Sequence, residues 1–414
     1  MFTDSVADYI EGVAAKHLRA VDAVPAKSNQ HEIGGLPSVG FKQYLGEPPK
    51  GESRVFNARM VYITDFDDAP LSLEDVVTWY DARHEKRSPE YRLYYKSNAV
   101  TKLLGEGDFF LIAKLNDGSL LMVFCPPGST VESQLCSIFS LSDNLDEFST
   151  GSTGGGSLLL PVRLLLEELG FVKEEPVTDD SGWLDRLIAT FDGEKFPGTG
   201  EFSAYARDTI GADQDPVSDP DSTLMAWMNH EEFLFRIYER HLVQERLKTG
   251  FGEDVDSFID YSLSVQNRRK SRVGHAFEGH LESLFRANGL KFERARGKSM
   301  VTENNSKPDF IFPGFASYQD PDYPEMNLIM LGAKTTCKDR WRQVLAEANR
   351  IERKHLVTLE PGISTAQTDQ MISTKLQLVV PSPLHATYTA GQRTWLHNIQ
   401  AFINEVRQRA LIVG

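Results

Sequence analysis

The chain has 414 residues, 41% of them hydrophobic and 25% charged, with 44 Lys and Arg against 59 Asp and Glu for a formal net charge of −15. These values exclude wholesale disorder and leave length for two or three domains, while the acidic balance argues against a general nucleic-acid coat protein. Three cysteines (Cys125, Cys136, Cys337) exclude a disulfide framework and a cysteine-rich zinc site; with no signal-peptide pattern and no apolar run able to span a membrane, they point to the cytoplasm.

Residues 55–66 alternate apolar and polar side chains as a strand does, and 109–114 with 119–124 read as a hairpin about Asn116-Asp117-Gly118. Between them, residues 83–96 interleave Arg83, Lys86, Arg87, Arg92 and Lys96 with Tyr91, Tyr94 and Tyr95. That mixture suits phosphate and base-edge contacts, and equally an exposed loop. The Gly/Ser-rich run 149–157 reads as a linker or a long surface loop, and the Asp/Pro-rich run 213–221 as a second break.

Beyond residue 221 the pattern is α/β. Helices are predicted over 231–249, 255–265, 274–287, 339–353 and 392–409, and strands over 310–312, 328–331 and 376–380, which together suggest a mostly buried mixed sheet. Charge is unevenly placed. Between 265 and 300, nine basic residues, among them Arg268, Arg269, Lys270 and Arg272, stand against three acidic ones. The local net is +6, so the rest of the chain totals −21. Such a segment either binds a polyanion in one place or is a solvated face paired with acidic neighbours.

The chemistry is concentrated in Pro308-Asp309-Phe-Ile-Phe312 and Met330-Leu-Gly-Ala-Lys334, with Glu347 thirteen residues later and Glu278 on the amphipathic 274–287 segment. Asp309 opens one strand and Lys334 ends another, so adjacent strands would bring them together. Carboxylates bind Mg²⁺, a hard cation, and a neighbouring lysine orients water and stabilises phosphate charge. Asp309 and Glu347 are therefore expected as metal ligands, Lys334 as the electrophilic group and Glu278 as a supporting acid, with Glu282 one turn away competing for that last role. A Pro-Asp followed by a lysine is, taken alone, commonly structural.

Four segments carry a resemblance: 264–274 (Ser-Val-Gln-Asn-Arg-Arg-Lys-Ser-Arg-Val-Gly), 307–313 (Lys-Pro-Asp-Phe-Ile-Phe-Pro), 333–343 (Ala-Lys-Thr-Thr-Cys-Lys-Asp-Arg-Trp-Arg-Gln) and 379–385 (Val-Val-Pro-Ser-Pro-Leu-His). From about residue 196 to 388 the chain resembles the EcoRII-like type II restriction endonucleases. The resemblance implies an α/β catalytic domain of the PD-(D/E)xK type over 176–414, a mixed sheet flanked by helices. It implies a homodimer that uses Mg²⁺ to cut both strands of DNA at a CCWGG-like site. In that family the second carboxylate is not two residues before the lysine, where Gly332 stands here, but follows later, as Glu347 does.

The same resemblance implies that Lys338, Asp339 and Arg340 read the outer C·G pairs, through donors to guanine and an acceptor for cytosine N4. It implies DNA-backbone contacts from Arg268, Arg269, Lys270 and Arg272. It also implies extrusion of the central base pair, with Trp227 as the stacking side chain or, alternatively, a core residue. Residues 29–34 and 83–96 resemble, more faintly, the effector-DNA domain of the same enzymes, a mainly-β pseudobarrel over 1–175. Lys27, His31, Arg83, Lys86, Arg87 and Arg92 would there touch a second copy of the site, the type IIE arrangement. A modification-dependent or repair nuclease with the same core is the enzymatic alternative. A non-catalytic DNA-binding regulator is the other, and the Asp309, Lys334 and Glu347 set argues against it.

Overall fold

The computed structural model describes the chain apart from residues 1, 3, 24–30, 50, 68, 84–87, 143–144, 153–156, 173–181, 296–299, 304–305, 339 and 412–414. Among the described residues, strands form two sheets. The first contains β1 (Ile10–His17), β2 (Glu32–Gly34), β3 (Ser53–Tyr62), β4 (Leu71–Asp81), β5 (Tyr91–Tyr95), β6 (Phe109–Leu115), β7 (Leu120–Cys125) and β8 (Ser149–Thr150). Their order is β2-β5-β4-β3-β7-β6-β1-β8. Neighbours are antiparallel except β3 and β7, which are parallel. The hairpin expected near residue 117 is β6–β7, with Gly118 in the left-handed conformation the turn requires.

Successive side chains leave a strand on opposite faces. Along β6, Phe109, Leu111 and Ala113 enter one core with the helices Thr130–Ile138 and Leu160–Leu169, while Phe110 and Ile112 enter a second with Trp79 and Phe124. Both faces are covered, so β6 and β7 are apolar throughout apart from the buried Lys114. This half of the chain is a mainly-β domain.

Both described ends of the Gly/Ser-rich run 149–157 stay with that sheet. Ser149 and Thr150 pair with Ala15 and Ala14, and Ser157 bridges Ser5. Gly151 is needed for packing, since a Cβ there would lie 2.6 Å from Val13 Cγ2 and 2.7 Å from the Phe139 carbonyl oxygen. The expected boundary at 175/176 falls outside the described residues.

The second sheet has the order β12-β11-β10-β9, with β9 (Phe310–Phe312) antiparallel to β10 (Ile329–Lys334), and β10, β11 (Lys354–Thr358) and β12 (Leu376–Val379) mutually parallel. It is a mixed sheet flanked by helices. Two long helices, Pro220–Thr249 and Val255–Ala287, and the helix Ile399–Leu411 pack on it through Trp227, Phe277, Leu281, Phe285 and Phe402. The first starts where Asp219 accepts from the Ser222 N–H at 3.0 Å with Pro220 at the first position. The helices predicted at 255–265 and 274–287 are one helix, because Gly274 interrupts the apolar pattern without breaking the backbone ladder. Buried Asp221 accepts from the N–H groups of Ser382, Ile399 and Gln400 at 2.9–3.1 Å, and so closes the N-terminus of the last helix from another element. Among the described residues no helix is long and apolar enough to cross a membrane.

Candidate active site

The β9–β10 pairing places Leu331 opposite Phe310, so Asp309 and Lys334 emerge at the same end of adjacent strands. Asp309 Oδ2 accepts from the Ala333 N–H at 2.7 Å and from Lys334 Nζ at 3.1 Å. Both side chains are partly exposed, and Lys334 lines a cleft. Gly332 stands two residues before the lysine, and a Cβ there would meet Val344 at 3.0 Å. No carboxylate fits that position without displacing Val344.

Glu347 supplies the acid instead, although not from a long helix. The predicted 339–353 helix is only Trp341–Leu345, followed by a turn in which Ala348 has φ of 50°. Thr302 Oγ1 accepts from the Ala348 N–H at 3.3 Å, and the Glu303 carboxylate accepts from the Asn349 N–H at 3.1 Å. Tyr318 donates its hydroxyl to Glu303 at 2.6 and 2.8 Å. These three residues fix the turn that carries Glu347. They are absent from the expected site because polar side chains scattered over 302–318 form no motif.

Glu347 Oε2 is buried and accepts no hydrogen bond among the described residues. Burial first, and then the neighbouring Asp309 charge, push its carboxyl up to about 7, with Lys334 and Lys354 opposing. Glu278 is also raised, by burial and then by Asp309, although Arg294 pairs with it. Glu347 and Glu278 thus each sense Asp309 and Lys334 electrostatically. Glu282 is engaged by Arg286 at 2.6 Å and Arg294 at 2.7 Å. An orphaned buried carboxylate oxygen beside a second carboxylate fits a cation. Among the described residues no three His, Cys, Asp or Glu side chains converge tightly enough to hold one alone, so waters or a substrate oxygen would complete the shell.

The site opens into a cleft of about 810 Å³. Lys270, Glu278, Lys334, Lys338 and Arg340 line one side; Asp65, Thr130, Gln134 and Glu168 of the mainly-β half line the other. Lys338 Nζ donates to the Asp67 carbonyl at 2.6 Å. Arg340 is exposed and donates to Thr336 Oγ1 at 3.2 Å. Asp339 lies outside the described residues.

Several residues expected to touch DNA have protein partners in the structure. Arg272 is 4% exposed and pairs with Glu231 at 3.5 Å and with Glu232, so it joins the two long helices and cannot reach a phosphate. Burial, offset by Glu231, brings its guanidinium down to about 10. Arg269 pairs with Glu239 at 2.5 Å and Arg268 lies 4.0 Å from the same carboxylate, which leaves Lys270 as the cleft-facing member of the run. Trp227 is buried in the core, 5.7 Å from the His280 ring. In the mainly-β half, Arg83 pairs with Glu90, Arg92 pairs with Glu32 and Glu90 at 2.7 and 2.8 Å, and His31 packs against Tyr95. Lys27, Lys86 and Arg87 lie outside the described residues.

Residues 235–403 match the family model described as EcoRII C terminal. Over 212 residues the chain is 42% identical to the type II restriction enzyme EcoRII of Escherichia coli, covering 51% of each chain. Over 149 residues it is 34% identical to the type II restriction enzyme SsoII of Shigella sonnei, covering 32% of this chain and 48% of that one. The chain therefore spans about half the length of the curated relatives it matches. Among solved structures it is similar to metal-depleted Ecl18kI in complex with uncleaved, modified DNA, with a TM-score of 0.45 and 18% identity over 56% of this chain and 85% of that one. It is also similar to the restriction endonuclease PspGI in its substrate DNA complex, with a TM-score of 0.42 and 17% identity over 52% and 94%.

Proposed function

We propose, from the premise that residues 235–403 are an EcoRII C-terminal domain, that the chain is a type II site-specific deoxyribonuclease. It would use Mg²⁺ to hydrolyse both strands of duplex DNA at a CCWGG-like site. The observation that carries the reading is the contact of Asp309 with Lys334 at the strand ends, with the unpartnered Glu347 oxygen electrostatically coupled to both. The catalytic domain would occupy 176–414 and an effector-DNA-binding domain 1–175.

Asp309 and Glu347 would hold the ion, which when bound supplies positive charge for the phosphate and a more acidic water. The Ala333 N–H and the Lys334 ammonium orient the Asp309 carboxylate. Lys334, at the mouth of the cleft, stabilises the charge that grows on the phosphate oxygens. Glu278 is held toward its protonated form by burial and by Asp309, and serves as the supporting acid.

Lys338, Asp339 and Arg340 would read the outer pairs. Arg340→Ala is expected to cost about 1–3 kcal/mol in specific binding and to relax discrimination at one outer pair. Equal weakening on specific and random DNA would make Arg340 a phosphate contact instead.

Residues of the mainly-β half line one side of the cleft, and Lys338 is tied to Asp67 across it. These facts support regulation in which the mainly-β half must withdraw, with effector DNA bound there as the trigger. Leu247, Val255, Phe258, Ile259 and Leu263 are exposed where the two long helices meet, and support a homodimer with one centre per strand. Only three cysteines in 414 residues is in keeping with a cytoplasmic setting. The test is digestion of methylated and unmethylated DNA of known sequence, with and without Mg²⁺, and mapping of the ends. Metal-dependent double-strand cuts at one short sequence support the reading; intact DNA under every condition refutes it.

A further inference from the structure

Glu360 follows β11 and is 6% exposed, at the boundary between the two halves of the chain. Its two carboxylate oxygens have different partners. Oε2 accepts from the Cys337 backbone N–H at 2.7 Å. Oε1 accepts from Gln134 Nε2 at 2.5 Å, and Gln134 lies on the helix Thr130–Ile138 of the mainly-β half. The same Gln134 amide reaches the Gly362 carbonyl at 3.2 Å, and Tyr388 donates to the Glu360 carbonyl at 2.9 Å. Cys337 begins the turn that carries Lys338 and Arg340, closed by the Arg340 N–H to the Cys337 carbonyl at 2.9 Å. Lys338 takes φ of 37° there, a conformation that costs a side-chain-bearing residue energy and persists only when its surroundings enforce it.

We propose that Glu360 is a positioning residue that joins the docked 130–138 helix to the 337–340 turn, so that withdrawal of Gln134 loosens the turn's hold on its geometry. The inference rests on the reading of that turn as the base-contacting element. Both donors require acceptors on Glu360. Burial first pushes its carboxyl up to about 7, the Cys337 N–H, Gln134 and Lys338 oppose that, and Glu168 adds to it. The carboxylate that links the halves is therefore held in balance by groups from both, and loss of either donor shifts it.

The test uses the full chain with Gln134→Leu, Glu360→Gln and the double variant. Hydrogen exchange is followed in the peptide spanning 335–341, together with the cleavage ratio between the cognate site and one altered at an outer pair. Gln134→Leu is expected to accelerate exchange at 335–341 although, among the described residues, the Gln134 side chain bonds Glu360 and Gly362 instead, and the acceleration should vanish when Glu360→Gln is already present. Glu360→Gln should reduce discrimination about tenfold, the worth of one hydrogen bond to a charged group. Unchanged exchange with Gln134→Leu overturns the proposal, and so does an equal acceleration in both backgrounds. Should Glu360→Gln fail to fold, the single Gln134→Leu measurement still decides. A wild-type chain that cuts no DNA refutes the nuclease reading, while the exchange data continue to judge the Glu360 linkage.

Discussion

Lys334→Ala is expected to lower single-turnover cleavage by a factor on the order of 10²–10³ while leaving specific DNA binding nearly intact, as removal of one preorganised donor to a developing anion does elsewhere. Lys334 has two tasks here. It holds Asp309 Oδ2 at 3.1 Å, and it opposes the repulsion that Asp309 exerts on Glu347 and on Glu278. The alanine variant keeps the Ala333 N–H on Asp309, so the carboxylate stays roughly in place and the loss falls on kcat. Lys334→Arg retains the charge, yet its planar fork cannot place a compact ammonium at the strand end, and little activity should return. An alanine variant that cuts at near wild-type rate would refute the role assigned to Lys334.

Asp309 and Lys334 are legible in the sequence because short apolar runs bounded by Pro308 and by polar residues mark strands whose ends carry chemistry. β11 is not, because it opens on Lys354 and His355, which read as surface. Both are buried, with Lys354 donating to the Ile351 carbonyl at 3.0 Å and His355 beside Glu405 at 3.2 Å. Unseen partners also mislead any reading of the basic segment. A charge run announces its sign, but Glu231, Glu232 and Glu239 lie 29 to 41 residues upstream of their partners, and only the pairing of the two long helices brings them to Arg268, Arg269 and Arg272. Glu347 is legible by its distance from Lys334, while the helix predicted around it does not form. The turn that replaces that helix is set by Thr302, Glu303 and Tyr318, contacts with no local periodicity.

Glu347→Gln should abolish cleavage and at the same time stabilise the metal-free protein at alkaline pH. The carboxyl sits at about 7 in the folded chain against an ordinary 4.5, so folding favours its protonated form. That contribution to stability is fully present below about 4.5 and is lost as pH rises through about 7. At pH 8 the wild type therefore holds an ionised, half-buried carboxylate beside Asp309 with no donor to one oxygen among the described residues, a cost on the order of 3 kcal/mol. Glutamine is uncharged and removes that cost, so thermal unfolding without metal should move up by several degrees at pH 8 and little at pH 5. Mg²⁺ should reverse the order. If it binds at Glu347, it would stabilise the wild type by binding the folded chain, and the variant, short of one charged ligand, should show a much smaller shift. A Mg²⁺-induced shift of wild-type size in the variant would remove Glu347 from the metal site. A destabilised variant at pH 8 would instead mean that the carboxylate has a structural partner. The two readouts separate the roles because a metal ligand is strained when empty, whereas a structural acid is not.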